Sequence, residues 1–512
     1  MTLLVSLLLA AAVQSPAAPP ASVTTDNIQK VQARFEAVES KQLVPLVSEA
    51  LRFPTFAGND QAHVEQKEWL TKTAQGLGFA VRDAGKVTEI ELPGPAGAPV
   101  LGLIVHGDVQ PVEDDAWTFP PFGGKTDAEY LYGRGSADDK GPLGQALMAM
   151  KSLAESGVAR THTIRLLVGS TEESDTKEMA EYLEHHAAPD YSLVLDSEFP
   201  VVVGEKAWDS LEVTTGLADR PGLSKPYTVS AMMAGLSASI VPDHAEITLK
   251  WKEKPIDWGP LDKSLHAFKL PEGTRVATQA TAEVFRVVVY GKSAHAGVNI
   301  TGGRNALVAL ARLMEGRLPT GGADDLLAMA RLAGRDLYGT GLGITDSDPL
   351  WGRYAVNIAT IKLQGDPETD RRYTLTINLR RTPPRTGPQL KEYLDTFVAA
   401  FNKRNGASLV AGGYHGDEPL GFNVKSVMVQ RLLADYAAAT GSPAKPAISG
   451  GGTYAKRVPN AIAFGMWFPG KPYPGHDLDE KAPIADLQRG TQVLIYALTD
   501  LATGPKVIDP FK

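Results

Sequence analysis

Three apolar runs in the first half of the chain each stop in acidic or histidine side chains. VLGLIVHGD (100–108) ends on His106 and Asp108, HTIRLLVGSTEES (162–174) ends on Glu172 and Glu173, and YSLVLDSEFP (191–200) runs into Asp196. Short continuous apolar runs of this kind are the pattern of strands buried on both faces. Between the first two, KGPLGQALMAMKSLAES (140–156) reads as a helix that tolerates Pro142 in its first turn. Strand, helix, strand spacing predicts an α/β fold: a mostly parallel twisted sheet with helices on both faces. Open sheets of this type bind ligands outside the carboxyl ends of their strands. His106, Asp108, Glu172, Glu173 and Asp196 are therefore expected to converge. Asp138, in GRGSADDKG, approaches the same edge from the start of the helix, and His476 follows the apolar segment NAIAFGMWFPG.

The rest of the chain frames this edge. Residues 26–52 read as one amphipathic helix with Ile28, Val31, Phe35 and Val38 on its apolar face. Near 206 the texture changes to strands that alternate apolar with polar residues, such as HAEITLKW and RYTLTINLR, with helices over 305–316 and 387–404. The α/β texture then resumes, with a helix stopped by Gly441 and a closing helix over 482–503. The reading is an α/β domain in two parts, 26–205 and 415–512, interrupted by an α+β insert, 206–414. Ahead of it, LLVSLLLAAAV (3–13) and the small, proline-rich stretch after it predict a signal peptide and linker over 1–25. That places the protein in the periplasm or outside the cell. The alternatives are a cytoplasmic chain with an apolar tail or an N-terminal anchor.

The chemistry is bounded by what the chain lacks. It has no cysteine, so any metal must be held by His, Asp and Glu. A net charge of −8 disfavours a nucleic-acid partner, and no segment after the leader reads as membrane-spanning. The residues at the strand ends suit two divalent ions about 3.5–4 Å apart, bridged by a carboxylate. Zinc accepts imidazole and carboxylate. Of two adjacent glutamates, one can bind metal while the other takes a proton from activated water. Asp108, two residues past His106 on an extended strand, is placed to accept the second ring N–H of His106. GRGSADDKG alone would fit a capped turn, and it lacks the Gly-Lys-Ser/Thr order of a phosphate loop. The joint placement carries the reading.

The series HGDVQPV (106–112), GRGSADDKGP (133–142), STEES (170–174), LDSEFP (195–200), GKSAHA (291–296), GGGTYAKRVPNAIAFG (450–465) and FPG…GHDLDE (468–480) resembles the M20 metallopeptidases. Within them it is most similar to the PepV-like dipeptidases, with carnosinases as relatives. The resemblance implies two Zn²⁺ per subunit, with Mn²⁺ or Co²⁺ also suited to the donors. It implies His106 and Asp196 on one ion, Glu173 and His476 on the other, and Asp138, the first Asp of DDK, bridging in preference to Asp139. Glu172 is the implied general base and Asp108 the orienting aspartate. The insert becomes a lid over the catalytic domain. His295 in GKSAHA stabilises the oxyanion, and Arg380 in INLRR grips the substrate carboxylate. Arg381 competes for that role but falls on the opposite face of its strand. Gly450, Gly451 and Gly452 add backbone donors. Ser239 stands where many relatives carry Asn, and Asn378 where relatives often carry Asp. The implied activity is dipeptide hydrolysis, the alternative an N-acyl-amino-acid deacylase or carboxypeptidase. The implied partner is a small peptide substrate. A monomer with His295 acting in cis is favoured over a lid-mediated homodimer. His185 and His186 are assigned no role, and Trp467 is read as core.

Overall fold

A computed structural model of the protein describes residues 21–112, 117–216, 218–252, 256–364 and 372–512, with side chains from residue 25 onward. The expected signal peptide at 3–13 lies outside the described residues. No described helix is long and apolar enough to cross a membrane.

The apolar runs form the middle of a six-stranded sheet. Val100–His106 lies between Thr163–Gly169 and Tyr191–Val194, parallel to both, and Ala461–Ala463 continues the parallel set beyond Tyr191–Val194. Val87–Leu92 and Ala80–Ala84 extend the other side antiparallel. Side-chain alternation explains why the central run is apolar throughout. Leu101, Leu103 and Val105 join the core with the helices Lys140–Glu155 and Ile484–Thr503, whereas Ile104 meets Met179 and Tyr182 of Lys177–His185 on the other face.

Two apolar segments break where the sequence reads as continuous. YSLVLDSEFP gives Tyr191–Val194 and then a separate strand, Ser197–Glu198, with Asp196 in the step between them. NAIAFGMWFPG gives Ala461–Ala463 and then Met466–Trp467, which pairs parallel with Ser197–Glu198. Gly465 makes the second break with φ 76°, and a Cβ there would lie 2.3 Å from the Phe199 ring. The N-terminal helix also departs from its expected register. It runs Ala21–Arg34, then a π turn Phe35–Glu39, then Ser40–Ala50. The wider turn rotates the apolar stripe. Val38 is left half-buried, while Glu39 takes the inward position and pairs with Arg34 at 2.8 Å.

The insert is built on an eight-stranded antiparallel sheet. Its central strands include Tyr227–Ala234, Ala355–Gln364 and Arg372–Arg381, and Ala207–Gly216 pairs with the last of these one strand in from the edge. The helices Ala306–Leu313, Gly322–Ala333 and Gly387–Asn405 pack on it. The last opens with a capping box in which Thr386 and Gln389 exchange side-chain and backbone bonds. The two large apolar cores share no residue. One is drawn from 31–203 and 428–507, the other from 211–409. The chain passes between them twice.

Candidate active site

His106 is the last residue of the central strand, and its ring is buried. Its Nε2 lies 3.0 Å from Asp138 Oδ1 and 3.9 Å from Asp196 Oδ2. Its Nδ1 donates to the Asp108 backbone carbonyl at 3.0 Å, with the Asp108 carboxylate farther off at 3.5 Å. The second ring N–H thus faces Asp108, its carbonyl first and its carboxylate beyond. The strand ends at His106, so the chain turns and offers its carbonyl to the ring. The carboxylate instead reaches the neighbouring loop, where it accepts the N–H groups of Glu172 at 3.1 Å and Glu173 at 2.9 Å.

Asp138 faces both histidines, its Oδ1 toward His106 and its Oδ2 3.1 Å from His476 Nε2. Asp139 turns away and accepts the His106 backbone N–H at 3.0 Å. Glu173 lies 2.9 Å from His476 Nε2 and is held from behind by Gln110, whose amide donates to it at 2.9 Å. Candidate ligand atoms of His106, Asp138 and Glu173 lie within 4.8 Å of one another, as do those of His106, Glu172 and Asp196. Glu172 is thus within reach of the same centre as the ligands assigned by resemblance.

The site holds more negative charge than its two imidazoles offset. Burial, then the charges of Asp138 and Asp139, push the Asp196 carboxyl well above the usual range. Burial and the Asp196 charge do the same to Glu172. Burial alone would lower the His476 imidazole, but Glu173 and Asp138 lift it to about 10. His476 Nδ1 is buried without a hydrogen-bond partner. Buried carboxylates are stable only when paired or bound to metal. Imidazole and carboxylate donors without thiols form a set that fits hard or borderline divalent cations.

The insert supplies the opposite wall. His295 stacks on His476 with ring centroids 4.5 Å apart, within the same chain. Its Nδ1 accepts the N–H groups of Gly297 at 3.0 Å and Val298 at 2.9 Å, which leaves its proton on Nε2. Burial, with the neighbouring His476 and Arg380 charges, keeps this imidazole neutral well below the usual histidine range. Arg380 is buried, and burial lowers its guanidinium to about 10. It donates to Asn378 Oδ1 at 3.1 Å and Ser239 Oγ at 3.2 Å, and no carboxylate pairs with it among the described residues. Arg381, on the other face, is consumed by Asp209 and Glu418, each at 2.9 Å.

Gly450, Gly451 and Gly452 follow the strand Ala447–Ser449 and line the cavity between the two units. Gly450 abuts Gly297 so closely that a Cβ on it would lie 2.0 Å from the Gly297 carbonyl. The Gly451 N–H is already donated to Ser449 Oγ at 2.9 Å, so this one of the three expected donors is engaged within the loop. The cavity measures about 290 Å³.

A family model now adds to this geometry. Residues 102–500 match the model of Peptidase family M20/M25/M40. The chain belongs to this peptidase family. M20 enzymes are metal-dependent hydrolases, in keeping with the donor set at the strand ends. This M20 chain is 30% identical to the Beta-Ala-Xaa dipeptidase of Lactobacillus delbrueckii subsp. lactis over 418 residues, 79% of this chain and 83% of that protein. Its fold is similar to that of the di-peptidase Dug1p from Saccharomyces cerevisiae, with a TM-score of 0.59 at 12% identity over 94% of this chain and 99% of that one. Human carnosine dipeptidase 1 matches with a TM-score of 0.57 at 13% identity, over the same shares of 94% and 99%.

Several residues of the M20 site escape sequence reasoning. Trp467 is half-buried and lines the cavity rather than the core, because the break at Gly465 takes it out of the main sheet. Tyr473 meets His295 edge-on at 6.1 Å, and its carbonyl accepts from Asn299 of the insert at 3.1 Å. Its place three residues before His476, in a proline-flanked loop, is the one signal the sequence carries for it. Glu205 fixes the glycine loop from below, accepting Thr453 N at 3.0 Å and Thr453 Oγ1 at 2.7 Å. Nothing in the sequence separates it from other strand-end glutamates.

Proposed function

We propose that the protein is a dipeptidase that works with two Zn²⁺ ions. The observation that carries this reading is the convergence of His106, Asp138, Glu172, Glu173, Asp196 and His476 beneath a neutral His295 from the insert. His106 and Asp196 would hold one ion, Glu173 and His476 the other, and Asp138 would bridge them. Bound there, such ions supply Lewis-acid polarisation of the scissile carbonyl and of water. Glu172 takes the proton from the attacking water and returns it to the leaving amine. His295 offers its Nε2–H to the oxygen on which negative charge develops. Arg380, lacking an acidic partner, grips the C-terminal carboxylate and thereby limits substrate length. Gly450 and Gly452 would add backbone donors for that carboxylate.

The insert serves as a lid that excludes water and brings His295 and Arg380 over the catalytic residues. The enzyme acts as a monomer, with His295 serving its own chain. The apolar leader supports export to the periplasm or beyond.

The test is hydrolysis of a pooled panel of dipeptides, tripeptides and N-acyl amino acids by the zinc-loaded protein, with products read by mass spectrometry. Dipeptides alone should disappear, and a chelator should stop the reaction. Loss of N-acyl amino acids with dipeptides untouched would make the enzyme a deacylase. Single-residue trimming of tripeptides would make it a carboxypeptidase.

A further inference from the structure

The cavity is lined by five acidic side chains, of which Asp138, Glu172, Glu173 and Asp196 belong to the catalytic cluster and Glu198 does not. Glu198 sits in the short strand Ser197–Glu198, two residues past Asp196, and its register partner is Trp467. Parallel partners stand side by side, so the indole and the carboxylate share one wall. Glu198 is half-buried, and no cation pairs with it among the described residues. The lining lysine, Lys471, does not neutralise it, because Asp486 binds that ammonium at 2.5 and 2.6 Å. Outside the catalytic cluster the cavity lining therefore offers one carboxylate with no cationic partner among the described residues, Glu198, and the insert holds near His295 one buried cation without an acidic partner, Arg380. A dipeptide carries one charge of each sign at its ends. An N-acyl amino acid carries only the negative one and would leave Glu198 facing a neutral acyl group. Sites built to bind a polar group reject analogues that lack it, since their own polar atoms are then stranded.

We infer that Glu198 binds the ammonium of the substrate's N-terminal residue and makes a free amine a requirement of the enzyme. This rests on the dipeptidase reading above and names the group that separates a dipeptidase from a deacylase on the same scaffold. Trp467 borders the ammonium and limits its access to water. Glu198 is a specificity residue that takes no part in moving the catalytic proton.

The test compares wild type, Glu198→Gln and Glu198→Asp, each loaded with zinc. Kinetics are measured on a dipeptide with small side chains, on its N-acetyl form, and on a dipeptide with N-terminal lysine. Calorimetry with a phosphinic dipeptide isostere, free or acetylated at its amine, measures binding without turnover. Wild type should prefer the free amine by about 10- to 100-fold, the range of one charge-assisted hydrogen bond. Glu198→Gln should lose that preference through KM with kcat little changed, and Glu198→Asp should regain part of it. Retained preference in Glu198→Gln overturns the inference. So does a loss confined to the lysine peptide, which would make Glu198 a side-chain reader, or an equal loss on free and acetylated substrates, which would make it structural. A wild type that neither binds nor cleaves any dipeptide defeats the dipeptidase reading itself. Dipeptide cleavage indifferent to Glu198 defeats this inference alone.

Discussion

Glu172 and Glu173 are neighbours with the same side chain, and their surroundings pull them apart. Asp108 fixes both backbone N–H groups. Gln110 and His476 then claim the Glu173 carboxylate, whereas Glu172 faces Asp196 and is driven toward its protonated form by burial and that charge. Glu172→Gln keeps the shape and removes the base. Its kcat should fall by about 10²- to 10⁴-fold, the usual worth of general acid–base catalysis. Metal content by mass spectrometry should stay at the wild-type ratio. A variant that loses an ion would make Glu172 a ligand. The Glu-Glu pair is visible in the sequence because it stands where an apolar run stops. The Asp108 carboxylate is not assignable that way, because its role depends on a turn immediately after His106 that no periodicity announces.

The strand Arg372–Arg381 divides two arginines between two tasks by alternation alone. Arg380 faces the site with polar but uncharged partners, and Arg381 faces the frame of the insert, its side chain fully buried against Asp209. Removing Asp209 leaves the buried guanidinium with only the exposed Glu418 as acidic partner, and breaking a buried ion pair costs up to about 3–5 kcal/mol. Asp209→Ala should therefore lower the unfolding free energy of the insert by that order, seen as an early melting transition, while the folded fraction still hydrolyses substrate. The alternation is legible in the letters INLRR themselves. The π turn at Phe35–Glu39 is not, because helical reading assumes 3.6 residues per turn and the pairing of the buried Glu39 with Arg34 shows only in three dimensions. The split at Gly465 likewise hides Trp467, whose apolar neighbours argue for core.

At the scale of the whole molecule, the catalytic cluster lies on a seam between two apolar cores that the chain joins twice. Contacts cross that seam within one polypeptide: the His295–His476 stack, the bond from Asn299 to the Tyr473 carbonyl, and the bond from the Lys456 ammonium to the Lys206 carbonyl at 2.6 Å. These contacts support the proposal that His295 serves its own chain. The insert is legible in the sequence through its change of texture. How closely the two units meet is not, because backbone contact leaves no side-chain pattern.

The tightest of those meetings has a mechanical consequence. Gly297 and Gly450 touch backbone to backbone, and a methyl group on Gly297 would fall 2.4 Å from the Gly450 carbonyl. Gly297→Ala is a doorstop. Each unit should still fold around its own core and take up metal, yet the jaws should rest ajar. X-ray scattering should show a larger radius of gyration than wild type, and kcat/KM should fall steeply at unchanged zinc content. One carbon atom, far smaller than any substrate, would then decide whether the two halves of this molecule behave as one enzyme or as a metal-binding sheet with a neighbour attached.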